Sequence, residues 1–167
     1  MDHLVRDSVI VPTKLGPFRV HYSIRGISRI EFPSDCSGGL RPPKSVGPSP
    51  LFLRNFIRQL QQYAAGKLVR WTVPLDTSAG TDFQQRVWGA LTTIPRGETR
   101  SYGWVAQQIG KPKAARAVGL ACGANPIPVV IPCHRVIAGD GSIGGFGGGL
   151  PMKQRLLALE HCERRGH

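Results

Sequence analysis

Ser101-Tyr102-Gly103-Trp104-Val105-Ala106-Gln107-Gln108-Ile109-Gly110-Lys111-Pro112-Lys113-Ala114-Ala115-Arg116-Ala117-Val118-Gly119-Leu120-Ala121-Cys122-Gly123 decides how the second half of this chain folds. Ser101 is a residue type that caps helices, and the run behind it, 102–109, is closed by Gly110-Lys111-Pro112. Ala114 to Cys122 then reads as another short helix, closed by Gly123. Two short helices joined by a tight, glycine-containing turn make a helix-turn-helix. The second helix is built from small residues, Ala114, Ala115, Ala117, Gly119 and Ala121, interrupted by one long cation, Arg116. Small side chains let a helix backbone come close to whatever it faces; patterning alone allows either a neighbouring helix or an outside surface.

Upstream, Thr81 and Gln84 have the spacing of a capping box ahead of Phe83, Val87, Trp88 and Leu91, so the whole region from about 79 is mainly helical. The first half has another character. Val9-Ile10-Val11, Phe18-Arg19-Val20-His21-Tyr22 and Ile27-Ser28-Arg29-Ile30, separated by turn signals, predict a small antiparallel meander. Five prolines and three glycines in 33–50 exclude a helix there and mark a loop. Ser49 as N-cap and Pro50 at the first helical position open a helix with Phe52, Leu53, Phe56, Ile57, Leu60, Tyr63 and Ala64 on its apolar side. Leu68 to Val73 reads as one more strand. The expectation is an α+β protein: an N-terminal α/β domain over 1–78 and a helical C-terminal domain over 79–167.

The chain has 167 residues, and 22 Lys and Arg against 10 Asp and Glu give it a formal charge of +12. That balance favours a polyanionic partner. Cysteines stand at 36, 122, 133 and 162 with no C-x-x-C pair and no histidines at zinc-finger spacing, so neither a disulfide framework nor a metal is expected. No long apolar run or signal-peptide pattern opens the sequence, which predicts a reduced, cytoplasmic setting and no membrane association.

Between an apolar run and a glycine-rich segment lies Pro132-Cys133-His134-Arg135-Val136. Cys133 is a candidate nucleophile and His134 its base, because a thiol attacks only as thiolate. Farther on, Glu160 falls one turn beyond Leu156 and Leu157, so its carboxylate should point to the core. Buried glutamate is rare unless paired, and His134 is the expected partner: a carboxylate fixes one imidazole nitrogen as donor and leaves the other as base.

The order Arg116-Ala117-Val118-Gly119, Asn125-Pro126, Ile131-Pro132-Cys133-His134-Arg135-Val136-Ile137, Gly144-Gly145-Phe146-Gly147-Gly148, Lys153 and Leu156-Leu157-Ala158-Leu159-Glu160 closely resembles the methylated-DNA-protein-cysteine methyltransferases, densely from about Thr81 to Glu160. The resemblance implies a small ribonuclease H-like N-terminal domain and a winged-helix-like C-terminal domain. It implies single-use transfer of an alkyl group from O(6) of guanine, with O(4) of thymine as a further lesion, in double-stranded DNA onto Cys133. The expected protein is a monomer, nucleoid-associated if bacterial, and needs no cofactor.

By the same resemblance the helix carrying Ala114, Ala115, Ala117, Gly119 and Cys122 lies in the minor groove, and Arg116 holds the space left by the flipped nucleotide; on its own, Arg116 reads equally as a phosphate contact. Asn125 ties the turn before Cys133 together, where it could otherwise simply cap that turn. Glu160, His134, a water and Cys133 form a relay. Tyr102, Val136, Phe146 and Gly147 line the base pocket, with Tyr102 supplying a proton to the leaving group; its alternative is ordinary packing. Phe146 stands where some members carry tyrosine, and Leu120 where some carry glycine. A non-catalytic lesion-binding or helix-turn-helix regulatory protein would lack the nucleophile. A cysteine hydrolase would turn over, and the helix-turn-helix before the site argues against it.

Overall fold

A computed structural model describes residues 7–33 and 49–162, which fall into two compact units, Met1–Thr77 and Ser78–His167. Most of the Pro/Gly-rich stretch predicted as a loop at 33–50, with Cys36, lies outside the described residues.

In the first unit β1 (Asp7–Val11), β2 (Phe18–Ser23) and β3 (Gly26–Glu31) form an antiparallel meander in the order β1-β2-β3. Val11, Phe18 and Val20 turn one way into the core, as period-two alternation requires. On β3 both Ile27 and Ile30 are buried, which strict alternation forbids. The register resolves it: His21 pairs with Arg29 and Tyr22 with Ile27, so Ser28 is an extra residue and the strand changes face across it.

Helix α1 (Leu51–Ala64) buries Leu53, Phe56, Leu60, Tyr63 and Ala64 at helical spacing. Its start differs from the sequence expectation. Pro50 itself occupies the cap position, its carbonyl accepting from Leu53 and Arg54 (3.0 and 3.3 Å), and no side chain caps the helix. The strand expected at Leu68–Val73 does not form either. Gln59 of α1 donates from Nε2 to the Arg70 carbonyl (3.2 Å) and the Thr72 hydroxyl (2.8 Å), and the Trp71 ring packs on Phe56 and Tyr63 with centroids 5.7 and 5.8 Å away. Side chains of a helix satisfy this segment where a ladder was expected, and strand-like pairing begins only at Leu75, bridged to Ile27.

In the second unit α2 (Asp82–Leu91) starts with the full capping box: Thr81 Oγ1 accepts from Gln84 N at 3.1 Å and Gln84 Oε1 from Thr81 N at 3.0 Å. Next come β4 (Arg100–Ser101), α3 (Tyr102–Gln108), α4 (Ala115–Gly123), a 3-10 turn at Cys133–Arg135, β5 (Val136–Ile137) and α5 (Leu150–Cys162). Ser101 caps α3 by accepting from Trp104 N at 3.0 Å. Gly110, at φ +73°, ends the helix in the left-handed conformation that glycine tolerates. Helix α4 runs through Gly123, one residue beyond the expected stop, with Ala124 at its end. Trp88 of α2 donates from Nε1 to the Ala121 carbonyl (2.9 Å), pinning α4 to the core formed by Val87, Leu91, Val105, Val118 and Leu156. The two-residue strands β4 and β5 pair in parallel, Arg100 with Val136 and Ser101 with Ile137. That pairing brings the start of the helix-turn-helix to the residues just after Cys133. Among the described residues no helix is long and apolar enough to cross a membrane.

Gly26 gives the first unit a sharp test. It sits at φ +137°, and a Cβ added there would lie 2.2 Å from the Pro74 carbonyl oxygen, on the backbone whose bond to Ile27 N holds the last segment to the sheet. Gly26→Ala should cost more than about 3 kcal/mol, combining backbone strain with a clash that no rotamer relieves. Urea unfolding checks this; a loss under about 0.5 kcal/mol, the range of neutral surface changes, would contradict the geometry.

Candidate active site

Cys133 opens the 3-10 turn and is almost fully buried. Three prolines, 126, 128 and 132, stiffen the chain leading to it by fixing their own φ and restricting the residue before. Val129, between them, is buried at φ +76°, a conformation that costs a β-branched residue on the order of 1–3 kcal/mol. Asn125 holds this strained turn in place: its Nδ2 donates to the Ile131 carbonyl (2.8 Å), its Oδ1 accepts from Ile127 N (3.0 Å), and its backbone N donates to the Cys122 carbonyl at the end of α4 (3.2 Å). Cys133 N in turn donates to the Ile131 carbonyl at 2.8 Å. Asn125 therefore joins α4 to the nucleophile through two bonded steps.

His134 is fully buried, and its Nε2 lies 2.7 Å from Glu160 Oε1. Glu160, 1% exposed, also accepts from Arg135: Nε to Oε2 at 3.0 Å and Nη2 to Oε1 at 2.9 Å, while Nη1 of the same guanidinium donates to the Ile94 carbonyl at 2.7 Å. Burial would raise the Glu160 carboxyl, but the hydrogen bonds from His134 and Arg135 hold it well below the usual carboxylate range. Burial pushes the His134 imidazolium the other way, below its ordinary value, and outweighs the pull of Glu160. The result is a neutral imidazole beside an ionised carboxylate. Glu160 can only accept, so Nε2 carries the proton and Nδ1 is left as a base. Nδ1 is buried and receives no hydrogen bond from the protein.

Burial also pushes the Cys133 thiol up, against the pull of its hydrogen bond with Asn125 and the nearby Lys153 ammonium. The resting nucleophile is a thiol, so deprotonation must accompany attack. Lys153 is fully buried, and its Nζ donates to the carbonyls of Val136 (2.7 Å), Ile143 (2.6 Å) and Gly145 (3.3 Å). It fastens the glycine-rich loop carrying Phe146 and Gly147 to the strand that follows Cys133. Burial lowers its pKa and the two neighbouring cysteines oppose that. Tyr102 is half-buried, with Gly119 of α4 on one side and Gly144 of the loop on the other: a Cβ on Gly144 would come 3.0 Å from its hydroxyl. Burial first, then Cys122 and Cys133, raise the phenol, which stays a donor.

The structure thus brings Asn125, Cys133, His134, Val136 and Glu160 together around the 3-10 turn, with Tyr102 within electrostatic reach of Cys133. Arg116 is exposed on α4, Ala115, Ala117 and Gly119 are half-buried beside it, and Ala114 precedes the first turn. Cys122, expected on the DNA-facing side, is half-buried within electrostatic reach of Cys133, its thiol pushed up to about 12, chiefly by burial. Sequence reasoning assigned no role to Arg135 or Lys153. A signal existed for Lys153, which shares the 153, 156, 160 helical face with Leu156 and Glu160. Among the described residues no group of His, Cys, Asp and Glu could hold a metal ion.

Residues 82–162 match the family model described as 6-O-methylguanine DNA methyltransferase, DNA binding domain. A methylated-DNA–protein-cysteine methyltransferase of Mycobacterium tuberculosis is 58% identical over 113 residues, 68% of this chain and 68% of the relative. One from Methanosarcina acetivorans is 42% identical over 90% of this chain and 96% of its own. Among solved structures, Mycobacterium tuberculosis OGT in complex with DNA superposes with a TM-score of 0.78 at 44% identity, covering 92% of this chain and 91% of that one.

The site's charges set the pH dependence of folding. His134 and Glu160 both bind protons less readily folded than unfolded, so their contribution is complete above the ordinary imidazole value of 6.5. It shrinks as pH falls through the imidazole range and again below the ordinary carboxyl value of 4.5. Glu160→Gln should cost about 3–5 kcal/mol at pH 7, the usual loss when one partner of a buried ion pair is removed, and should flatten the acid decline below pH 4.5. Denaturant unfolding at pH 7 and pH 4 measures both; equal stability with a parallel acid decline would show that Glu160 is not the charge that organises the core.

Proposed function

The chain belongs to the methylated-DNA–protein-cysteine methyltransferase family, and from that premise we propose that it repairs DNA by moving the alkyl group of O(6)-alkylguanine onto the Sγ of its own Cys133. The observation that carries this reading is the buried Glu160–His134 pair next to Cys133, closed off by the part-buried Arg135. It sets a neutral base beside a thiol with no other polar chemistry to serve. The Nδ1 of His134 takes the thiol proton through one bridging water, a role suited to a buried nitrogen with no protein partner. The sulfur lone pair forms the S–C bond as the C–O(6) bond breaks. The electrons left on the guanine are neutralised by the Tyr102 hydroxyl, whose raised pKa keeps it protonated until needed. The buried Lys153 ammonium favours the transient thiolate.

Because a thioether has no leaving-group path back to free thiol, each molecule acts once and needs no cofactor. A duplex hides the O(6) substituent, so the lesion must be flipped out at a cost of a few kcal/mol. We assign Arg116, exposed on the small-residue face of α4, to fill the vacated space from the minor groove. The flipped base stacks by Phe146, its O(6) meets the Gly147 amide, and its amino group meets the carbonyls of Cys133 and Val136. O(4) of alkylated thymine offers the same alkoxy-aromatic carbon and is the second substrate of this reading.

Intact-protein mass after incubation with excess duplex containing O(6)-methylguanine tests the transfer. One methyl group on Cys133, followed by no further reaction, is the expected result; repeated turnover, or label on Cys122, would overturn it. Arg116→Ala should slow repair of duplex much more than reaction with free O(6)-benzylguanine, since the free base needs no extrusion. Equal slowing of both would assign Arg116 to support of the pocket instead.

A further inference from the structure

Helix α4 presents its outermost stripe as Arg116, Gly119, Leu120 and Gly123, which fall together at about 100° per residue, while Val118 and Ala121 are buried on the opposite side. Leu120 is 78% exposed, the one large apolar side chain on that stripe. An isolated exposed leucine usually needs no explanation. This one differs in its company. It lies one turn after Arg116, so the two side chains emerge side by side. Its neighbours leave it standing clear: Gly123 has no side chain, and even a Cβ there would touch nothing within 4 Å. The surroundings are basic, with Lys111, Lys113 and Arg116 all exposed and no Asp or Glu anywhere from Thr99 to Gly139. Such a surface suits a polyanion, and an apolar group inside it suits the part of a polyanion that carries no phosphate.

We propose that Leu120 is a specificity-determining residue that enters the minor groove beside Arg116 and makes repair faster at lesions flanked by A·T pairs than at lesions flanked by G·C pairs. This rests on the alkyl-transfer reading above and deepens it. Four residues of α-helix advance about 6 Å, close to two base-pair steps of about 3.4 Å each. With Arg116 in the space of the flipped nucleotide, Leu120 therefore falls over the neighbouring pairs. The floor of the minor groove is distinguished there by the guanine 2-amino group, which projects into the groove and donates. Leucine can neither accept that hydrogen bond nor make room for the group, so a G·C pair beneath it loses water without recompense. An A·T pair presents no such projection, and the leucine can wedge against the base step and sugar walls, as apolar residues do in other minor-groove proteins.

A·T pairs also melt more easily, so the informative quantity is how the flank preference changes on mutation. Single-turnover transfer is measured on duplexes with O(6)-methylguanine between two A·T pairs or two G·C pairs on each side, for the wild type, Leu120→Ala and Leu120→Met, with free O(6)-benzylguanine as a substrate that has no flanks. Alanine is chosen because it keeps the helix. The wild type should prefer A·T flanks roughly tenfold, within the range that one base contact discriminates. Leu120→Ala should reduce that ratio to about twofold, Leu120→Met should retain most of it, and reaction with the free base should stay within about twofold throughout. An unchanged flank ratio in Leu120→Ala, or equal slowing on the free base, overturns the proposal. Failure of the underlying reading looks different: the wild type would then take no methyl group from any duplex.

Discussion

Glu160 carries a charge into the core of the second unit that burial opposes, and satisfying it fixes two neighbouring side chains. Arg135 closes on it with two nitrogens and reaches the Ile94 carbonyl with a third; His134 supplies a further hydrogen bond. Because the guanidinium already neutralises the carboxylate, the imidazole need not be charged, and burial keeps it neutral. A lone Glu–His pair would favour the imidazolium, which cannot accept a proton. Burial first, with the adjacent arginine's charge adding to it, is thus what keeps the histidine a base.

The same unit joins α4 and Cys133 into one bonded piece. Asn125 binds the end of α4 and the segment before Cys133, and the β4–β5 pair binds the start of α3 to the segment after it. Lys153 then ties that second segment to the glycine loop. Helices α3 and α4, the segment around Cys133 and the glycine loop are fixed within a few bonds of each other, so their relative positions are set by the fold itself. The strained Val129 is the consequence: the turn is short, and its neighbours over-determine its backbone.

Where local rules govern, the sequence was legible. The capping box at Thr81, the Ser101 cap, the Gly110 stop and the three-strand meander depend on nearby residues, and each formed at the expected place. The segment 68–73 departs from its strand-like pattern because α1 side chains satisfy it, a tertiary choice that propensity cannot reveal. Pairing of Glu160 with His134 followed from spacing, yet Arg135 and Lys153 stayed hidden, since cations are almost always solvated and nothing local marks the exceptions. Protonation of Cys133 was equally beyond the sequence: adjacency to histidine suggests a lowered pKa, whereas burial decides the sign.

That sign bears on what kind of nucleophile Cys133 is. A permanently ionised thiolate would be attacked by every passing electrophile and oxidant, because reactivity follows thiolate character and access. In a protein consumed by its own reaction, each such event removes a molecule from use. A buried, protonated thiol with a neutral imidazole at hand avoids this, because the proton leaves only when the displaced group can accept charge from the sulfur in the same step. The slower resting chemistry is tolerable because one transfer is all that is required, and the barrier that matters is met with the lesion in place. Burial of Cys133 therefore acts as selectivity, confining a soft and versatile nucleophile to the substrate that fits.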